Sequence, residues 1–272
     1  MNKQTKLLRL VESGLLLAVA AVLSFVKVLD LPYGGSVTAC AALPILLVAY
    51  RHGTVWGLFT GFAYALIQLL TGLGTVSYFT TPLSIVAVIL LDYLLAFTVL
   101  GLGGIFRRRV ANQGKALVLG ALFTGFLRYT LHVIAGCTVW AGLSIPTQAA
   151  LVYSLAYNAT YMIPDTLVAM LGAWYLSRAI DLREVTPTRA PSAERLNRPL
   201  LVASLLSKAV LLAAAVWDVV LIFAPLQDPE TGDFIITNLS QVSWGTVGVV
   251  TAAAVALWGV VTMVVAKKKQ KN

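Results

Sequence analysis

Three apolar stretches carry side chains that a hydrocarbon environment does not ask for. The first, FLRYTLHVIAGCTVW at 126–140, places Arg128, His132, Gly136 and Trp140 four residues apart. That spacing keeps them on one slowly drifting stripe of a helix. The second, LVYSLAYNATYMIPD from residue 151, brings Tyr153, Tyr157 and Asn158, and the third, VILLDYLLAF, holds Asp92 beside Tyr93 in mid-run. A carboxylate, an imidazole, an amide and several aromatic faces at one depth make a site for a small, flat, nitrogen-rich ligand, neutral or cationic. The aromatic faces would stack it and attract positive charge. The carboxylate and amide would meet its donors and acceptors in a dry pocket.

Each residue also has a plainer reading. Trp140, Tyr153 and Tyr157 suit an interfacial aromatic belt, and Asn158 suits helix–helix hydrogen bonding. His132 suits a satisfied core histidine, and Asp92 and Arg128 could simply neutralise each other. Other chemistry is thin. The chain has no G-x-x-x-x-G-K-[ST] string, hence no phosphate-binding loop of its own. His52 and His132 lack metal-ligand spacing, no nucleophile elbow is present, and no cofactor is implied. Cys40 and Cys137 read as buried small residues, and Asp165 (after Pro164) and Asp218 as isolated, local structural or loop-facing residues.

These side chains must be positioned by membrane helices. Of 272 residues, 59% are hydrophobic and 11% charged, against about a quarter charged in a soluble domain. Eight membrane segments are expected, at about 11–29, 36–50, 54–71, 82–105, 116–140, 149–177, 200–224 and 242–266. The second is short for a bilayer, which suits a tilted or buried helix, or one extended upstream. The first is expected to stay uncleaved, because a signal-peptide cut near 18–21 would halve an apolar run. The fold class is all-α and polytopic. Residues 1–177 form a six-helix domain, the proline-bearing polar stretch 178–199 a cytoplasmic linker, and 200–272 a two-helix extension with a basic tail. No internal repeat is visible.

The net charge of +9 encodes orientation rather than nucleic-acid binding. All of the 20 Lys and Arg except Lys27 and Arg128 fall in the termini or alternate connections, which the positive-inside rule assigns to the cytoplasm. Both termini are then cytoplasmic in a multi-pass protein of the cell membrane. Trp140, Tyr153 and Asn158 lie toward the outer half of the bilayer.

Residues 8–177 resemble the thiamine-specific S component of the energy-coupling-factor vitamin transporters. The likeness rests on ALPILLVAYRHGTVWGLFTGF, RYTLHVIAGCTVW and YSLAYN. It implies a six-helix, non-enzymatic membrane subunit that captures thiamine, or a close pyrimidine–thiazole relative, from outside and works with a transmembrane coupling protein and two cytoplasmic ATPases. It puts Asp92, with Tyr93 beside it, where the family has an acidic ligand-binding residue. It likewise puts His132, Trp140, Tyr153 and Asn158 in the vitamin pocket, with Arg128 and Gly136 nearby. Gly136 is expected to let a ring approach the helix backbone, and Gly14 and Ala18 to form a small-xxx-small contact, with the coupling protein or within the bundle.

Three departures stand out. The acid is aspartate where the family usually has glutamate. Gly35 stands where the first external loop has a lid tryptophan, with Tyr33 or Tyr78 as compensating rings, and the last two helices have no counterpart. Arg128 either pairs with Asp92 or faces the headgroups or the hydroxyethyl end of the ligand. The competing readings are an S component for another vitamin, a proton-coupled carrier, and, in a different class, a membrane enzyme or assembly factor.

Overall fold

The structure is a computed structural model that describes residues 3–31, 34–189, 198–226 and 235–271. The chain divides into two compact units, Met1–Ala190 and Pro191–Asn272.

The first unit is built from six helices. Helix α1 (Lys3–Phe25) leads into a hairpin of β1 (Lys27–Asp30) and β2 (Ser36–Thr38), then α2 (Leu43–His52), α3 (Thr54–Thr71) and the single turn α4 (Leu73–Val76). The fourth long element is one continuous helix of changing pitch. It comprises α5 (Pro82–Val88), a π-helical stretch Ile89–Leu95, α6 (Ala96–Thr98) and a 3-10 stretch Val99–Arg107. Helices α7 (Gln113–Thr138) and α8 (Gln148–Ala179) complete the unit, with a terminal hairpin of β3 (Ile180–Asp181) and β4 (Thr188–Arg189).

Local chemistry sets the helix starts. Thr81 accepts the Ser84 N–H ahead of Pro82, Asn112 accepts that of Lys115, and Thr147 accepts that of Ala150, each satisfying an amide that the helix cannot. Close approach is carried by glycine. A Cβ on Gly101 would lie 2.2 Å from the backbone nitrogen of Leu58, and one on Gly104 2.3 Å from the carbonyl of Ala49. The 3-10 stretch therefore packs directly on α2 and α3.

Among the described residues, six segments have both the length and the apolarity to cross a membrane: Lys6–Phe25, Thr54–Thr71, Pro82–Arg107, Gln113–Thr138, Arg198–Leu226 and Trp244–Lys268. Helix α8 adds 32 residues, about 48 Å at 1.5 Å per residue, though it is more polar. The chain is an all-α, multi-pass membrane protein.

The expected span 36–50 is corrected. Its apolar run divides into β2 and a ten-residue α2, about 15 Å long against a hydrocarbon core of about 30 Å. Helix α2 is apolar because it is enclosed: Pro44 through Arg51 are all buried. The chain reverses into it through Cys40, held at φ 66°.

Part of the expected linker is also ordered. The Arg51 guanidinium donates to both carboxylate oxygens of Glu12 on α1 and to the carbonyls of Leu182, Glu184 and Val185. Gln113 adds bonds to Ser177, Ile180 and Leu182.

The second unit pairs α9 (Arg198–Phe223) with α10 (Trp244–Lys271). Asp218 is not isolated. It is buried between the two helices and accepts the Thr251 hydroxyl.

Candidate functional site

Asp92 owes its direction to the π-helical stretch. One residue more per hydrogen-bonded ring shifts the side chains that follow around the axis, and such bulges recur at functional sites. The carboxylate is turned inward, where Oδ1 lies 2.8 Å from His132 Nδ1 and Oδ2 accepts from Trp140 Nε1 at 3.0 Å. A carboxylate can only accept, so the imidazole carries its proton on Nδ1 and leaves Nε2 for another partner. Trp140 is fixed again by Phe79, edge-on at 4.7 Å, and by Tyr78, tilted at 6.2 Å. Tyr93, next in the same stretch, donates its hydroxyl to the Gly72 carbonyl at 3.0 Å. Gly72 leaves room for the phenol, since a Cβ there would lie 2.4 Å from it.

Helices α7 and α8 are joined by an amide relay. The Ser154 hydroxyl donates to the Val133 carbonyl at 2.8 Å, and Asn158 Nδ2 donates to the carbonyls of His132 and Ser154 at 3.3 and 2.8 Å. Tyr161 donates to Asn158 Oδ1 at 2.6 Å. Gly136 lets the facing helix approach closely, since a Cβ would stand 2.2 Å from Ser154 Oγ, and it also lines the cavity. Asn158 both lines the cavity and binds the two helices together.

Arg128 does not pair with Asp92. Its Nη1 lies 3.2 Å from Asp165 Oδ2, and its guanidinium lies over the Phe97 ring at 4.8 Å. Asp165 Oδ1 accepts from the amide and hydroxyl of Thr38 at 3.0 and 2.8 Å. The reading of Asp165 as isolated is therefore overturned: it is buried, ion-paired and ties the β1–β2 hairpin to two helices. Asn158, Tyr161 and Asp165 recur at helical spacing, and that pattern was the signal available in the sequence.

Tyr153, Tyr157 and Tyr161 form one stripe of α8. The first two rings are parallel at 6.1 Å and the last two edge-on at 5.7 Å. Gly35 meets this stripe. Its N–H donates to the Tyr157 hydroxyl at 3.3 Å, and a Cβ would lie 2.7 Å from the Tyr161 ring. Tyrosines of α8 thus occupy the place beside Gly35. Tyr78 lies against Trp140, and Tyr33 is outside the described residues.

All eight residues expected at the site line a single cavity of about 550 Å³ within the first unit: Asp92, Tyr93, Arg128, His132, Gly136, Trp140, Tyr153 and Asn158. Tyr64, Gln68, Tyr161 and Asp165 also line it, and the spacing argument had not singled them out. The volume suits a small organic molecule. Its charge is uneven: Arg128 is balanced by Asp165, and Lys27 is paired with Asp30 at 3.0 Å. Asp92 is held by two donors that are neutral when His132 is unprotonated, so its negative charge stays available to a ligand.

Comparison with known proteins bears on this arrangement. Residues 10–182 match the family model described as thiamine transporter protein (Thia_YuaJ). The chain is 35% identical over 182 residues to the thiamine transporter ThiT of Bacillus subtilis (strain 168), covering 63% of this chain and 91% of that protein. It is 28% identical over 187 residues to the thiamine transporter ThiT of Lacticaseibacillus paracasei, covering 63% and 87%. Among solved structures, ThiT from Listeria monocytogenes superposes with a TM-score of 0.51 at 26% identity, covering 65% of this chain and 95% of that one. The six-helix fold, the cavity at its polar stripe and a family match spanning residues 10–182 lead to one conclusion: the chain belongs to the thiamine transporter protein family.

Proposed function

We propose that the chain is the substrate-binding membrane subunit for thiamine uptake in an energy-coupling-factor transporter. The observation that carries this reading is Asp92. It lines the cavity, and among the described residues no Lys or Arg lies within ion-pairing distance of its carboxylate, while His132 is charged only when protonated. Thiamine has a fixed thiazolium charge that cannot be shed on entering a low-dielectric site, so it requires an anion or aromatic shielding. Asp92 supplies the first, and Trp140 and the Tyr153–Tyr157 pair supply the second. The donor and acceptor edge of the aminopyrimidine is served by His132 Nε2 and the Tyr153 hydroxyl. Asn158 acts mainly by holding α7 and α8 in register.

The energy for transport comes from partners in this reading: a transmembrane coupling protein and two cytoplasmic ATPases. The absence of a phosphate-binding loop in the chain supports it. So does α1, where Gly14 and Ala18 are both exposed and a Cβ on Gly14 would meet nothing within 4 Å. Packing within the bundle does not account for this pair, whereas close approach of another helix does. The basic termini and connections support cytoplasmic ends and an outward-opening cavity.

The purified full chain is expected to bind thiamine stoichiometrically in calorimetric titration. Proteoliposomes containing it alone should bind the vitamin without sustained accumulation. Uptake driven by a proton gradient in such vesicles would instead identify a self-sufficient carrier.

A further inference from the structure

Two nitrogen donors on the cavity wall have no acceptor among the described residues. They belong to Arg128 (Nε) and Gln68 (Nε2), two residues of the cavity lining, and both atoms are buried. A buried donor without an acceptor is destabilising, and more so when charged. Native structures rarely keep such a group without a reason, and here two lie on one surface. That surface is continuous. Tyr64 and Gln68 are one turn apart on α3, the Phe97 ring meets Tyr64 edge-on at 5.4 Å, and the Arg128 guanidinium lies over the same Phe97 ring. Asp92, in contrast, is engaged by His132 and Trp140. Because Asp165 balances Arg128, this wall presents N–H groups without a net positive charge.

We propose that Gln68 is a ligand-contacting, specificity-determining residue. Its side-chain amide donates to the hydroxyl oxygen on the flexible arm of the bound molecule, and Arg128 Nε is a second donor on the same wall. The inference rests on thiamine as the ligand. Its ring cation and aminopyrimidine are drawn to the acidic centre, which leaves the hydroxyethyl oxygen as the acceptor for the donor wall. A neutral hydroxyl suits donors whose charge is already balanced, whereas a phosphate ester would bring its charge against Asp165.

The test is calorimetry on the full chain with three ligands: thiamine, the analogue with hydrogen in place of the hydroxyl, and thiamine monophosphate. Wild type is expected to bind thiamine about tenfold more tightly than the deoxy analogue, as one well-made hydrogen bond allows, and more tightly than the monophosphate. Gln68→Leu should lower thiamine affinity about tenfold and leave the deoxy analogue unchanged. The melting temperature without ligand should hold or rise, because leucine removes an unpaired polar group.

Equal losses for thiamine and the deoxy analogue, or a lowered melting temperature, would make Gln68 structural and overturn the proposal. No loss for either ligand would show that Gln68 makes no contact. Tightest binding of the monophosphate by wild type would make the wall an anion site instead. Wild-type protein that binds no thiamine would sink the thiamine reading and this inference together; each of the other adverse outcomes leaves that reading standing.

Discussion

Asp92 accepts from an imidazole and an indole, whereas Asp165, facing the same cavity, accepts from the Arg128 guanidinium and from both donors of Thr38. Asp165 is buried and Asp92 partly buried, their side chains 7% and 14% exposed. The difference that matters is the charge of their partners. The indole is neutral and the imidazole is charged only when protonated, so with His132 unprotonated these bonds orient Asp92 and leave its charge in the field of the cavity. A guanidinium cancels that charge and turns the group into a brace between α7, α8 and the β1–β2 hairpin. One acid is arranged for a ligand and the other for the fold.

The contrast breaks most visibly at Asp165. Removing one partner of a buried pair leaves the other uncompensated, at a cost of about 3–5 kcal/mol. Asp165→Ala should therefore lower the melting temperature of the ligand-free protein strongly. An unchanged melting temperature would mean that the pair braces nothing.

Asp92→Asn should do the reverse. Thiamine affinity should fall by about 2 kcal/mol or more, the range for truncating a buried charge interaction, with the fold nearly intact. A neutral pyrimidine fragment of thiamine should lose much less on the same substitution. If fragment and vitamin lose equally, Asp92 is a second brace and the distinction between the two acids disappears.

A smaller effect sharpens the geometry between them. Gly136→Ala forces a Cβ to within 2.2 Å of Ser154 Oγ, and overpacking of this kind costs about 1–3 kcal/mol. Denaturation should show that loss, and adding Ser154→Ala should recover part of it. Full stability in Gly136→Ala alone would show that α7 and α8 are not held as tightly as their relay implies.

The site was legible where its residues repeat along a helix. Arg128, His132, Gly136 and Trp140 recur every four positions, Tyr153 and Tyr157 do the same, and all of them reach one cavity. Their pairing was not legible. Whether Arg128 meets Asp92 or Asp165 depends on the rotation of the fourth helix, which a π-helical insertion changes without any mark in the hydropathy. Asp165 read as isolated because the residues it meets lie on other elements, Arg128 on α7 and Thr38 on β2. Two of its partners' atoms belong to Thr38, 127 residues away. The segment 36–50 misled for a related reason. A run that is apolar through enclosure by protein has the same composition as one apolar through contact with lipid, and only its length distinguishes the two.

The clamp around Arg51 has a consequence for the sequence where the bundle ends. All five guanidinium N–H donors are taken, by Glu12 on α1 and by three carbonyls ending at Val185. The family match ends at residue 182, within this clamp. The segment leaving the last helix of the bundle is thus fastened by backbone carbonyls, which every residue type possesses. The clamp therefore places no demand on which side chains stand at 184 and 185, where the chain leaves the family match, and α9 and α10 follow later in the sequence.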